Sequence, residues 1–114
     1  PVSAPFHCSL MKSAADKMKD KIDTIKFKNL SHTIVSNVTA KGEQDTNNIK
    51  KLLVKQIYSK VRWRESILYM LSDGITEFVE IGPGKVLSGL VKRIAKDKKS
   101  NNINSINDIK NFLT

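Results

Sequence analysis

The stretch TEFVEIGPGKVLSGLVKRIAK, residues 76–96, decides the fold class. Residues 76–81 predict a strand whose Phe-Val-Glu-Ile leads into a glycine-proline-glycine turn at residues 82–84. Apolar residues then recur at helical spacing over 85–96. The predicted buried face of this helix holds Val86, Leu87, Leu90, Val91 and Ile94. A strand, a tight turn and a helix in this order indicate α/β architecture.

Helices and short strands alternate in the rest of the predicted structure. We predict a helix over 9–25, a strand over 31–38, a loop over 39–45, a helix that Thr46 caps, a helix over 62–72, a short edge strand over 103–106 and a closing helix over 107–113. The first helix is predicted to bury Met11, Ala15, Met18, Ile22 and Ile25. Two or three short strands with about five helices seldom complete a sheet, so we expect a piece of a larger α/β domain.

The charge of the chain predicts an acidic partner. Twenty Lys and Arg against eleven Asp and Glu give a net charge of +9. Such a surface attracts nucleic acid, anionic lipid, or an acidic protein or phosphorylated cofactor. Only Arg62, Arg64 and Arg93 among the basic residues carry the guanidinium fork that reads guanine edges. Sequence-specific DNA binding is therefore disfavoured.

Length and cysteine content exclude several classes of protein. The 114 residues suit one compact unit. One cysteine, Cys8, and two distant histidines exclude an internal disulfide and a zinc site of four protein ligands. No apolar run approaches the roughly 18 residues that span a bilayer and no signal segment opens the chain, so we expect a cytoplasmic protein. Because the first residue is Pro1, we expect the chain to begin inside a longer polypeptide.

The glycine-rich turn is the first candidate site. Backbone N–H groups between a strand and a helix can bind an anion. The P-loop pattern fails because Val79 stands where its first glycine is needed and Val86 follows Lys85. The dinucleotide pattern fails because Leu87 occupies the place of its last glycine. The alternative is a tight connection between the strand and the helix.

His7 is the second candidate, because a loop delivers it to the start of the first predicted helix. The positive end of a helix dipole disfavours the imidazolium form there, so a neutral histidine that can act as a base is expected. The alternative is an incidental histidine beside Cys8, itself a small buried filler. A nucleophilic Cys8–His7 pair is disfavoured, since neighbours in sequence rarely face each other.

Gln56 is the third candidate, because it lies on the apolar face of the second predicted helix. A buried side-chain amide without partners costs about 1–3 kcal/mol. We therefore expect Gln56, or the backbone beside it, to orient a histidine. The alternative is that Gln56 lies at the edge of the apolar face and meets water. His32 shows no partner pattern and is expected at the surface.

Three ordered motifs resemble the malonyl-CoA:acyl carrier protein transacylases. They are PVSAPFHCSLM at 1–11, VKQIY with VRW over 54–63, and EIGPGKVLSGL at 80–90. The resemblance spans nearly the whole chain and is to the C-terminal third of that enzyme. It implies that residues 1–114 are the C-terminal part of the large subdomain, within a partial three-layer, hydrolase-like α/β acyltransferase core.

The resemblance also implies a reaction and two site residues. In this family a serine in a Gly-His-Ser-x-Gly elbow takes malonyl from malonyl-CoA and passes it to the phosphopantetheine thiol of acyl carrier protein. His7 matches the family histidine, the general base and acid of both steps. Gln56 matches the position whose main-chain carbonyl orients that histidine. Malonyl-CoA enters as substrate, and no bound cofactor and no metal are implied.

Several parts of the family machinery have no match in this chain. It contains no Gly-x-Ser-x-Gly, and the arginine that clamps the malonyl carboxylate, the oxyanion glutamine and the ferredoxin-like subdomain belong to the preceding, nucleophile-bearing part. None of these roles transfers to Arg62, Arg64 or Arg93. We therefore expect the chain alone to be inactive. Phe6 resembles the residue of malonyl-preferring relatives, since its ring would crowd an α-methyl branch.

Three functions from different classes follow. The first is a fragment of a fatty-acid synthesis malonyltransferase that meets acyl carrier protein through its basic surface, and that binds the missing N-terminal part of the same enzyme or self-associates. The second is a basic binding module for nucleic acid or anionic lipid. Few arginines and 6% aromatic residues disfavour nucleic acid as a partner, and no membrane partner is expected. The third is a fragment of a polyketide synthase acyltransferase domain.

Overall fold

A computed structural model describes residues 5–114 as two compact units, which divide between Ser66 and Ile67. The first four residues of the PVSAPFHCSLM motif lie outside the described residues. The first unit contains a 3₁₀ turn (Ser9–Met11), α1 (Lys12–Asp23), β1 (Ile34–Val35), β2 (Gly42–Glu43), α2 (Thr46–Lys55) and the start of α3 (Trp63–Ser72). The second contains the rest of α3, β3 (Glu77–Ile81), α4 (Val86–Ile94), β4 (Lys99–Ile103) and α5 (Ile106–Leu113).

In the first unit, α1 and α2 pack against each other. Ala15, Ile22 and Ile49 are buried on these two helices. The predicted apolar face of α1 was too wide, because Met18 and Ile25 are 47% and 44% exposed. Ile25 lies beyond the helix, which ends where the Thr24 hydroxyl donates to the Lys21 carbonyl over 2.7 Å. Ala15 and Ile22, two helical turns apart, therefore form the buried face of α1, while the flanks of the predicted face meet solvent.

A short hairpin follows α1 in place of the predicted longer strand and loop. β1 and β2 pair antiparallel over two residues each, with Ile34 opposite Glu43 and Val35 opposite Gly42. The chain leaves the strand at Ser36, whose carbonyl accepts a 2.8 Å hydrogen bond from the Ala40 N–H. This closed turn ends the pairing and explains why β-branched residues after Ser36 do not extend the strand.

The N-terminal cap of α2 is Asp45 and not Thr46 as predicted. The Asp45 carboxylate accepts hydrogen bonds from the N–H groups of Asn47 and Asn48, at 2.7 and 3.2 Å. A helix leaves its first four N–H groups without intrahelical partners, and a carboxylate satisfies them and complements the helix dipole. Both residue types can cap a helix, so the competition between neighbouring caps decides the boundary.

The second unit confirms the α/β class. β3 and β4 pair in parallel, with Glu77 opposite Lys99 and Ile81 opposite Ile103. The connection between them is α4, which packs against both strands. Parallel neighbours require a crossover of this kind, usually a helix. The predicted strand, turn and helix are therefore the first three parts of a β-α-β unit.

The predicted edge strand over 103–106 was misplaced. The strand is Lys99–Ile103, in a polar segment that reads as a turn, and α5 already begins at Ile106. Ser105 ends the extended segment, because its hydroxyl accepts a hydrogen bond from the Asp108 N–H at 3.1 Å and caps α5. Pairing with β3 places Lys99–Ile103 in the sheet despite its polar side chains, since β propensity depends on context. The described residues thus hold four strands rather than two or three.

The buried face of α4 also differs from the prediction. Ser88 and Val91 are buried, whereas Val86 and Leu87 are 72% and 43% exposed. The face turned to the strands therefore includes a polar residue, Ser88.

One face of β3 is left open. Phe78 and Glu80 are partly buried, but Val79 is 37% and Ile81 82% exposed. Parallel strands are normally covered on both faces. A two-stranded parallel sheet with an exposed apolar face is typical of part of a larger sheet, in agreement with the expected incomplete core.

Within residues 5–114, no helix is long and apolar enough to cross a membrane. In the same part of the chain, no three His, Cys, Asp or Glu side chains lie together in a way that could hold a metal ion.

Candidate active site

His7 lies in a tight turn just before the 3₁₀ turn Ser9–Met11. Its φ of 55° places it in the left-handed region, which non-glycine residues rarely adopt. Two hydrogen bonds of 3.0 Å fix the turn around it, from the Cys8 thiol to the Pro5 carbonyl and from the Met11 N–H to the Cys8 carbonyl. Strained backbone of this kind clusters at functional sites, where the surroundings hold it in place.

The imidazole of His7 makes a hydrogen bond to the main chain at the end of α2. Its Nδ1 lies 2.9 Å from the carbonyl oxygen of Gln56. A carbonyl can only accept, so Nδ1 carries the proton and donates it. In the neutral ring, Nε2 is then left with a free lone pair. The contact joins two segments that are 49 residues apart and leaves one ring nitrogen available as an acceptor.

The position of Gln56 explains why its carbonyl is available. Gln56 is the C-terminal cap of α2, and its own N–H donates to the Leu52 carbonyl at 2.9 Å. The last four carbonyls of a helix have no intrahelical partner, and the negative end of the helix dipole lies there. A histidine N–H is a suitable partner for such a carbonyl. The contact uses the main chain of Gln56, so it does not by itself account for the glutamine side chain.

The side of α2 that carries Gln56 borders a small apolar cavity. Gln56 is partly buried, and the cavity beside it has a volume of about 70 Å³. Its apolar lining comes from Ile34, Val35, Ile49, Leu52 and Leu53. Gln56 thus lies at the margin of an apolar surface. Its position is intermediate between a buried amide and a side chain at the edge of the apolar face that meets water, the two alternatives for this residue.

The glycine-rich turn has the geometry of a tight connection. Gly82 and Gly84 have φ values of 135° and 87°, which side chains rarely tolerate. The N–H groups of Leu87 and Ser88 at the start of α4 already donate to the Glu80 carboxylate, at 3.2 and 2.8 Å. A carboxylate therefore occupies the place where an anion would bind, which favours the structural alternative for this turn.

Glu80 is a residue that the sequence reasoning missed. Its carboxylate also accepts from the Ser88 hydroxyl at 2.6 Å, which explains the buried serine on α4. The Ser88 hydroxyl and the two N–H groups lower the pKa of Glu80. A carboxylate in a strand just before a glycine-rich turn and a helix was the available signal, because helix N-termini attract acidic side chains.

The remaining candidates lie apart from these contacts. His32 is exposed. The Cys8 thiol donates to Pro5, which leaves the nucleophilic Cys8–His7 pair without support from the structure. The Arg62 guanidinium donates to the Thr39 carbonyl at 3.1 Å and lies 3.4 Å from Glu65. These contacts tie Arg62 to the first unit's own backbone and side chains.

Comparison with known proteins identifies the chain's relatives. No family model matches the chain. The malonyl CoA-acyl carrier protein transacylase of Bacillus subtilis is 46% identical over 99 residues, which are 87% of this chain and 31% of that protein. The solved acyl-carrier-protein S-malonyltransferase of Bartonella henselae superposes with a TM-score of 0.93 at 41% identity, over 99% of this chain and 36% of that one. Over nearly its whole length, the chain is similar to malonyl CoA-acyl carrier protein transacylases.

The match is to the C-terminal part of the transacylases, and the chain spans about a third of their length. It confirms the predicted acyltransferase fold class and the resemblance on which that class rested. A further transacylase structure, 40% identical with a TM-score of 0.86 over 96% of this chain and 35% of that one, is a complex with a type II polyketide synthase acyl carrier protein. The catalytic role of His7 and the orienting role of Gln56 remain predictions.

Proposed function

We propose that this chain is the C-terminal part of a malonyl-CoA:acyl carrier protein S-malonyltransferase of fatty-acid synthesis, in which His7 is the general base and acid. The single observation that carries the proposal is the 2.9 Å hydrogen bond from His7 Nδ1 to the Gln56 carbonyl, in a chain related to transacylases. It leaves Nε2 free to accept a proton, as acyl transfer requires.

In the first half of the reaction, His7 Nε2 takes the proton of a serine hydroxyl that the N-terminal part supplies. The serine oxygen attacks the thioester carbon of malonyl-CoA, and a C–O bond replaces the C–S bond. The proton then passes from Nε2 to the departing sulfur, which leaves as the CoA thiol. The Gln56 carbonyl holds the ring through Nδ1–H and, at the negative end of α2, stabilises the ring while it carries the second proton.

In the second half, Nε2 removes the proton of the phosphopantetheine thiol of acyl carrier protein. The thiolate attacks the serine ester, a C–S bond replaces the C–O bond, and Nε2 gives the proton taken from the thiol to the departing serine oxygen. Over one turnover the serine proton leaves on the CoA thiol and the proton of the carrier thiol restores the serine hydroxyl, so the protons balance. The reaction therefore needs no metal and no bound cofactor, and malonyl-CoA is the donor substrate.

The N-terminal part completes the site in this proposal. The chain contains no Gly-x-Ser-x-Gly, so the serine, the arginine for the malonyl carboxylate and the oxyanion donor come from the nucleophile-bearing part and its ferredoxin-like subdomain. Acyl carrier protein is the acidic partner that the net charge of +9 would attract. The proposed location is the cytoplasm, where malonyl-CoA and the carrier are found together.

The test compares the chain alone with the chain joined to the N-terminal part of the Bacillus subtilis relative. We call the joined product the intact enzyme. Release of CoA thiol and the mass of the carrier protein report malonyl transfer. We expect transfer by the intact enzyme and none by the chain alone. Turnover by the chain alone at the rate of the intact enzyme, or a folded intact enzyme without transfer, would contradict the proposal.

The same assay can compare two classes of acyl carrier protein. One relative was solved in complex with a type II polyketide synthase acyl carrier protein, so the same chemistry can serve a polyketide carrier. Malonyl transfer by the intact enzyme to a fatty-acid carrier and to a polyketide carrier, compared by kcat/KM, separates the two functions. We expect the fatty-acid carrier to be preferred. A preference for the polyketide carrier would favour the alternative.

A further inference from the structure

A second contact joins the two segments that carry His7 and Gln56. The ammonium of Lys12, the first residue of α1, lies 4.9 Å from the centre of the Tyr58 ring. Lys12 follows His7 by five residues, and Tyr58 follows Gln56 by two. An ammonium within about 6 Å of an aromatic centre is attracted to the face of the ring. The contact therefore ties the start of α1 to the chain just after α2.

Asp16 fixes the ammonium in this position. Its Oδ1 lies 2.8 Å from Lys12 Nζ, one helical turn along α1. The hydrogen bond from Lys12 to Asp16 raises the pKa of Lys12, so the ammonium stays charged throughout the neutral range. An ammonium already paired with a carboxylate has lost part of its side-chain conformational freedom. Placing it on an aromatic ring therefore costs less additional entropy than for an unpaired lysine. The Lys12 ammonium thus has two side-chain contacts, with Asp16 and with the Tyr58 ring.

The same helix supplies a matched comparison. Lys19 pairs with Asp23 at the same spacing and with similar exposure. The aromatic contacts found among the described residues involve Lys12 with Tyr58 and Lys50 with Phe27. Lys12 and Lys19 therefore carry the same charge and the same kind of helical ion pair, but Lys12 alone of these two lies over a ring.

The His7–Gln56 contact determines which ring tautomer His7 adopts. His7 is exposed, so water competes with the Gln56 carbonyl for Nδ1–H. A free neutral imidazole favours the tautomer with the proton on Nε2, which has no lone pair there and cannot act as the base. A second tie between the same two segments keeps the carbonyl within reach of Nδ1 and opposes this change.

We propose that Lys12 and Tyr58 form a positioning pair for His7, in which the ammonium held by Asp16 on the Tyr58 ring keeps Nδ1 of His7 on the Gln56 carbonyl and Nε2 free to accept a proton. The structural half of this proposal concerns the His7–Gln56 contact itself. The catalytic half rests on the proposed function.

The test uses four variants of the intact enzyme and one control. Lys12→Met and Tyr58→Leu remove the ammonium and the ring, whereas Lys12→Arg and Tyr58→Phe retain a cation and a ring. Lys19→Met removes the same charge from the same helix and is the control. For each protein we would measure kcat and KM for malonyl-CoA across pH, and the ¹⁵N shifts of the His7 ring in histidine-labelled protein, assigned with His7→Ala.

We expect Lys12→Met and Tyr58→Leu to lower kcat by about two- to fivefold with little change in KM, since an exposed contact of this kind has a modest energy. The His7 signals should shift toward the Nε2–H tautomer in both. The conservative variants and Lys19→Met should match the wild type, and combining Lys12→Met with Tyr58→Leu should cost no more than either change alone.

Two results would overturn the proposal. One is a His7 tautomer that is unchanged in Lys12→Met. The other is an equal loss in Lys19→Met, which would assign the effect to net charge. The failure of the proposed function is recognised separately, because His7→Ala would then retain transfer while the ring signals of the other variants still report on the contact.

Discussion

Glu80 and Ser88 form the tightest polar link of the β-α-β unit: the Glu80 carboxylate accepts from the Ser88 hydroxyl at 2.6 Å and from the Ser88 N–H at 2.8 Å. One side chain of β3 thereby caps α4 across the glycine-rich turn. The ionised carboxylate only accepts hydrogen bonds, and its charge strengthens them. Protonation of Glu80 removes that charge, so the link weakens in acid.

The first prediction concerns acid stability. Hydrogen bonds from the Ser88 hydroxyl and N–H hold the pKa of Glu80 in the folded protein below its ordinary value. A group with a depressed folded pKa stabilises the fold above its unfolded pKa, and this stabilisation is lost as pH falls through the folded pKa. We expect the free energy of unfolding of the intact enzyme to fall less steeply below pH 5 in Glu80→Gln than in the wild type. Urea unfolding at several pH values measures it.

Glu43 and Asp108 also have lowered pKa values and contribute to the acid sensitivity of both proteins. The comparison therefore uses the difference between wild type and Glu80→Gln at each pH. This difference should be largest near neutral pH and shrink in acid. A difference that stays constant from pH 7 to pH 3 would show that the charge of Glu80 does not stabilise the unit.

The second prediction contrasts two glycines in the same segment. An added Cβ would meet nothing within 4 Å at either Gly84 or Gly89, but Gly84 has a φ of 87° and Gly89 lies inside α4. We expect Gly84→Ala to destabilise the intact enzyme by about 1–2 kcal/mol through backbone strain. Gly89→Ala should stabilise it by about 0.5–1 kcal/mol through helix propensity. Thermal unfolding of both variants checks the opposite signs, and equal effects would refute this assignment.

The third prediction concerns the chain alone. Val79 and Ile81 leave one face of β3 exposed, and an uncovered apolar strand favours association. We expect the isolated chain to self-associate, and the intact enzyme at the same concentration to do so less. Light scattering and calorimetry report both. An isolated chain that is a monomer with a single cooperative transition would contradict this.

Local sequence patterns predicted those helices and strands whose own residue types and spacing favour the structure that they adopt. The strand before the glycine-rich turn and α4 after it were predicted close to their observed bounds, since β-branched residues, glycines and helical spacing coincide there. β4 was misplaced because its polar residues carry no strand signal, and its pairing with β3 is a contact between distant segments. The capping of α4 by Glu80 joins residues only eight positions apart, and the carboxylate just before the glycine-rich turn was its local signal.

In the candidate site, too, local sequence signals were readable and contacts between distant residues were not. Residue chemistry marked His7 and Gln56 as unusual, but no spacing rule joins residues 49 positions apart. Resemblance to a family supplied that link. The Lys12–Tyr58 contact carries no sequence signature, because lysines are abundant on this surface and most of them meet water.

Malonyl transfer by the intact enzyme across pH, with His7→Ala and Gln56→Ala compared with the wild type, tests the proposed role of His7. We expect His7→Ala to lower the rate by about 10²- to 10⁴-fold, the usual contribution of a positioned general base. Gln56→Ala should cost less, because the main-chain carbonyl that accepts from His7 Nδ1 survives the substitution. If His7→Ala retained more than about half of the activity, or if Gln56→Ala were the more damaging change, His7 would not be the base.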